Sequence, residues 1–126
     1  MREIEFRAFH KGKIKNVLWL SLNHDELMFL NGINGYYRGR LKNCDLMQYT
    51  GLKDANGVKI FEGDIMQWHG DDSIVAVKWE QASCSYTAFG RLCAMHLKPD
   101  DCGTGHLLVI GNVYETPELF TTEGLL

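Results

Sequence analysis

The sequence predicts a mainly β protein. Three observations carry that reading. Apolar and polar residues alternate over short runs, as in Ile4, Phe6 and Ala8 against Glu3, Glu5 and Arg7, which is the pattern of a half-buried strand. Glycine- and asparagine-centred turn signals interrupt these runs at Gly12, Asn56-Gly57, Gly63, Gly70 and Gly90, leaving segments of strand length between them. No window sustains a 3.6-residue period with caps at both ends, so no helix longer than about two turns is expected.

The elements follow in order. Residues 2–9 form the first strand, and His10-Lys11-Gly12-Lys13 turns the chain. Residues 14–22 resume a strand, with Ile14, Leu18, Leu20 and Leu22 on one side and Val17 and Trp19 on the other. Apolar residues of both parities predict a strand covered on both faces. A helix over 16–30 competes, because Leu18, Leu22, Leu27 and Leu30 also fit a helical period. Asn23-His24-Asp25 interrupts it, which favours strand, loop and then a short strand or turn. Residues 31–43 carry three glycines and two Asn-Gly pairs, the composition of a loop or loose hairpin.

The stretch from Leu46 to Trp68 has the densest turn chemistry. Asn56-Gly57 is expected to take the two positive-φ positions of a type I′ turn, joining a strand around Met47, Tyr49 and Leu52 to one around Val58, Ile60 and Phe61. Asp54 fits the first position of that turn. Gly63 marks a bulge or bend before the next strand. Strands 64–69 and 74–80 pair through Gly70-Asp71-Asp72. A three-residue loop puts Ile65, Val75 and Val77 on the core face and Trp79 over Gly63, whereas a four-residue loop turns Met66 and Trp68 inward. Residues 81–88 and 89–97 read as a further strand pair around Gly90, and 98–105 as exposed turns. Residues 107–114 are a strongly apolar strand, central or barrel-closing. Thr116 and Pro117 begin one helical turn, as N-cap and first helical residue, and the tail beyond Phe120 is expected to fray.

Three blocks resemble one family. MQYTGLKDANG followed by IFEGDI, the opening MREIEFRAF, and VIGNVYETPELF at 109–120 are similar to the YopX proteins of bacteriophages and prophages. The resemblance implies a mainly β fold with an SH3-like barrel in the second half, and a phage or prophage source. It carries over no catalytic residue. The expected arrangement is an N-terminal β-hairpin region (1–45) packed on an SH3-like barrel (46–126), the two sharing one core. Strands of 58–114 form a closed or nearly closed barrel, Ile65, Val77, Val109 and Val113 are buried in it, and Phe6 and Leu20 are buried against it.

Composition narrows function. The net charge is −3, unlike domains whose main work is covering phosphates. No stretch reaches the ~18 apolar residues of a membrane span. The start MREIEFR has no apolar signal core, so the bacterial cytoplasm is the expected compartment. Cys44, Cys84, Cys93 and Cys102 form no C-x-x-C pair. They read as free thiols, and with His69, His96 and His106 they lack the spacing of a structural zinc site. No metal or cofactor is expected. Nucleotide loops and a nucleophile elbow are absent, so no enzyme is expected. Asp54, Glu62 and Asp64 could act as an acid–base or cation cluster, but turn-bonding roles are favoured.

Two features carry binding potential. Arg38, Arg40 and Lys42 stand beside Tyr36 and Tyr37, a mixture that can hold single-stranded nucleic acid. The acidic total favours a solvated hairpin there instead. Trp68 and Trp79 are residue types of interface hot spots, though aromatic residues on small barrels more often serve the core. The favoured function is a non-enzymatic module that binds an unidentified host or phage protein, with self-association open. The alternative is nucleic-acid binding through residues 36–42.

Overall fold

A computed structural model describes residues 3–30, 36–68, 73–90, 94–96 and 107–119. Eleven strands occur in these residues, in two antiparallel sheets. The first sheet contains β1 (Phe6–His10), β2 (Lys13–Ser21), β3 (Glu26–Leu30), β4 (Tyr36–Arg40), β5 (Asp45–Lys53) and β6 (Lys59–Phe61), in the order β4-β3-β2-β1-β5-β6. The second contains β7 (Asp64–Trp68), β8 (Ile74–Glu80), β9 (Ser85–Gly90), β10 (Ala94–His96) and β11 (Leu107–Asn112), in the order β10-β9-β8-β7-β11.

The tight type I′ geometry falls at the first hairpin rather than at Asn56-Gly57. Lys11 and Gly12 both take positive φ, +51° and +81°, and His10 pairs with Lys13. At 54–58 only Gly57 is left-handed, with φ +81°. Its amide bonds Asp54 O at 3.0 Å, and Asp54 N bonds Val58 O at 2.8 Å. This is a longer connection closed by an aspartate, because Asp54 satisfies the amides that the I′ turn would have left to strand pairing.

The competing helix over 16–30 gives way to the β2–β3 hairpin. A register shift between Val17 and Trp19 corrects the expected parity of β2. The extra residue brings Val17 and Leu20 to one side, where both pack on the buried cluster Ala8, Leu27 and Phe29. Leu18 and Trp19 are left half-exposed, at 50% and 47%, so β2 is not covered on both faces. Leu20 therefore packs within the first sheet's own cluster, not against a barrel, and Phe6 is only half-buried.

The β7–β8 register is that of the four-residue loop: Ile65 pairs with Ala76, Met66 with Val75 and Gln67 with Ile74. Met66 joins Ile60, Val75, Val77, Ala88 and Leu107 in the main cluster, with Leu52, Trp68 and Val109 packed against it. Ile65, of opposite parity, is also fully buried. Val109 and Val113, expected in the core, are half-buried. Trp79 does not cover Gly63; it pairs with Tyr86. A Cβ at Gly63 would meet Tyr114, Met47 and Val113 at 3.2–3.5 Å, so the turn after β11 supplies the cover. Residues 81–84 are a turn rather than a strand, and the pair expected around Gly90 is β9 with β10. The Gly70 turn, residues 31–35 and 98–105, and the tail beyond Phe120 lie outside the described residues.

No closed barrel forms among the described residues. β6 belongs to the first sheet, and β11 is an edge strand rather than a central or closing one. The reason is at that edge: Leu107 O accepts from Ala55 N at 3.1 Å, and Val109 N donates to Asp54 Oδ2 at 2.9 Å. A turn, not a strand, meets β11. The β1–β5 pairing carries the first sheet across residue 45. A third cluster, Met47, Tyr49 and Phe61 with Phe9, Ile14 and Tyr114, ties it to the turn that follows β11. Within that turn Asn112 Oδ1 accepts from the amides of Tyr114 and Glu115 at 3.0 and 2.8 Å. The expected helical turn follows at 117–119, with Leu119 N bonded to Thr116 O at 3.1 Å.

Candidate functional site

The buried carboxylates have structural partners. Asp54 Oδ1 accepts from Asn56 N at 2.8 Å and Val58 N at 2.9 Å, while Oδ2 takes Val109 N. Asp64 pairs with Arg7 through Oδ1 and accepts from Phe61 N at 2.8 Å through Oδ2. Burial pushes the Asp64 carboxyl above the ordinary carboxylate range, with the Arg7 guanidinium and the Phe61 amide pulling the other way. Arg7 is held in turn over the Phe61 ring, 4.6 Å from its centre. These two aspartates pin turns and join the sheets. Among the described residues no group of three or more His, Cys, Asp or Glu is placed to hold a metal.

Other titratable groups answer to local surroundings. Lys59 Nζ bonds Glu3 at 2.6 Å and Glu5 at 2.5 Å. The bond to Glu3, then that to Glu5, raises the lysine pKa, and Lys59 in turn lowers that of Glu3. His10 is buried and stacked on Phe29 at 4.9 Å, with Lys15 Nζ 3.1 Å from Nδ1. Desolvation first, then Lys15 and Lys11, lower its pKa. Cys44 and Cys84 are free thiols, and burial raises the Cys44 pKa. Cys93, Cys102, His69 and His106 lie outside the described residues.

The strand β4 holds four of the five residues singled out from sequence. It is the edge strand of the β3–β4 hairpin, as the hairpin alternative for this region expects. Tyr36 sits opposite Leu30, Tyr37 opposite Phe29, Arg38 opposite Met28 and Arg40 opposite Glu26. Gly39 faces the buried side, where an added Cβ would lie 2.7 Å from the Phe29 ring. Arg38 and Arg40 share the other face and are exposed. Arg40 is 3.8 Å from Asp25. Trp68, the fifth residue, is in the second sheet and packs on the main core cluster, so the fold does not set it beside the arginines.

Two surfaces escaped the sequence reading. On the outer face of the first sheet, Trp19 pairs with Met28, and Met28 with Arg38. Beside them Ile4, Glu5, Phe6 and residues 17–20 line an open recess of about 260 Å³. Ile4 is 71% exposed. The signal was present in the two-sided apolar run of β2, but the bulge that turns Leu18 and Trp19 outward has no mark in composition. The second surface is a recess between the sheets lined by Gln48, Glu62, Trp79 and Tyr86.

These features define a mainly β protein of two open antiparallel sheets, with exposed aromatic residues and carboxylates committed to its turns. The chain belongs to the YopX protein family, whose model matches residues 1–121. No curated protein matches it significantly. Among solved structures, it is similar to the crystal structure of protein EF1440 from Enterococcus faecalis. That match has 22% identity and a TM-score of 0.73, and covers 95% of this chain and 99% of that one. At that identity the likeness concerns the fold. No described helix is long and apolar enough to cross a membrane.

Proposed function

We propose that this is a phage or prophage accessory protein, acting in the bacterial cytoplasm as a non-enzymatic module that docks a host or phage protein on the outer face of β2–β4. The observation that carries the reading is the row Trp19, Met28 and Arg38 across three strands. Leu18 and Ile4 are exposed beside the same strands. Tryptophan and arginine dominate the energetics of protein interfaces, and a contiguous exposed apolar patch is the usual mark of one. No cofactor enters this reading.

Site-specific photocrosslinking from position 18 in infected or induced host cells tests it. One dominant adduct is expected, and Trp19→Ala should remove it while the fold is retained. Adducts spread evenly over abundant proteins, unchanged by that substitution, refute the docking face. Nucleic-acid binding through Arg38, Arg40 and Lys42 ranks second, because the net charge is −3 and Arg40 already faces Asp25. Retention on single-stranded DNA or RNA that persists at about 0.2 M salt, and is lost on neutralising those three residues, reverses the ranking.

A further inference from the structure

We propose that the recess between β5–β6 and β8–β9 receives a cationic side chain, lysine or arginine, from a partner protein. Four residues line this open recess of about 320 Å³: Gln48, Glu62, Trp79 and Tyr86. Gln48 lies on β5 and Glu62 just after β6, while Trp79 and Tyr86 face each other across the β8–β9 ladder. The first sheet thus contributes an amide, the turn between β6 and β7 a carboxylate, and the second sheet two aromatic rings. This surface is separate from the β2–β4 face, and its test does not depend on that reading.

The chemistry fits a cation. Aromatic faces attract ammonium and guanidinium groups through the ring quadrupole, most strongly for tryptophan. The two rings are 5.1 Å apart at 72°, so they form two walls near a right angle. The indole N–H donates to Gln81 Oε1 at 3.1 Å, which holds the ring's orientation. Glu62 is held as well: its Oε1 accepts from Gln48 N at 2.8 Å, and its own amide donates to Gln48 O at 3.0 Å. The carboxylate is therefore placed before any ligand arrives, which lowers the ordering cost of binding. Trp79 also remains 43% exposed. An anionic group would be repelled by Glu62, and a neutral apolar one would gain nothing from its charge.

The test is an NMR titration of the full chain, following the Trp79 indole and the Gln48 backbone amide. The probes are tetramethylammonium, N-acetyl-lysine methylamide, N-acetyl-arginine methylamide and the neutral neopentyl alcohol. The cations should shift both signals at millimolar concentration and the alcohol should not. The stronger of the two amino-acid probes assigns lysine or arginine. Glu62→Gln retains an acceptor for the Gln48 amide and should weaken cation binding roughly tenfold. Trp79→Ala should abolish it, and the Glu62→Gln result decides the matter alone if that variant does not fold. Equal response to the alcohol, unchanged affinity in Glu62→Gln, or no response to any cation overturns the proposal.

Discussion

Replacing Asp54 should separate two jobs that one carboxylate performs. Its Oδ1 holds the turn through the amides of Asn56 and Val58, and its Oδ2 holds the edge of β11 through Val109 N. The side chain is almost fully buried. Asn56 and its neighbours Ala55 and Gly57 are exposed, so water can replace some of what Oδ1 provides, and each of those bonds is worth about 1 kcal/mol. The Val109 amide bonds a carboxylate at a covered strand edge, and losing that charge-assisted bond costs about 2–3 kcal/mol. Asp54→Ala should therefore destabilise by about 4–5 kcal/mol. Asp54→Asn keeps one oxygen on the turn and points an NH₂ at the Val109 N–H, so it should lose only the second part, about 2–3 kcal/mol. Urea unfolding midpoints measure the ordering wild type, Asn, Ala. Amide exchange localises it: in Asp54→Asn, Val109 should exchange faster while Val58 keeps its protection. If the Asn variant matches wild type, or if Val58 and Val109 lose protection together, the division of labour is wrong.

Other expectations follow from the same geometry. Gly57→Val should cost roughly 1–2 kcal/mol more than Ala55→Val, because Gly57 has φ +81° with nothing near its added Cβ; equal urea midpoints for the two would show that its backbone carries no strain. Gly111→Ala should cost on the order of 1–3 kcal/mol, since its Cβ would lie 2.2 Å from Thr116 Oγ1, and a thermal midpoint at the wild-type value would contradict that crowding. For His10, folding lowers the pKa below its ordinary 6.5. The unfolded chain then takes the proton first. Stability is full above that value and falls as pH drops through 6.5 toward the folded pKa. The difference in unfolding free energy between wild type and His10→Gln should shrink with falling pH over this window; a constant difference would remove His10 as the cause.

Strand type was legible wherever short alternation met a turn residue. Ala8 in β1, the β2–β3 interruption at Asn23-His24-Asp25, and the Thr116-Pro117 helix start all depend on neighbours a few residues away, so local chemistry determined them. The residues of the β4 edge were visible for the same reason, as a run of basic and aromatic types. Tertiary structure decided the rest. The bulge at Leu18 exists because Val17 and Leu20 must both reach Leu27 and Phe29, a demand set by another strand. The β7–β8 register was ambiguous by one residue. Packing Met66 with Ile60 and Leu107 resolves it, and neither partner belongs to that hairpin. The open second sheet follows from Asp54, which lies 55 residues before the amide it holds on β11. The Trp79–Glu62 recess likewise brings together residues from two sheets. A single sequence encodes local backbone preference directly, but it expresses pairing across such distances only through packing that the whole chain must form at once.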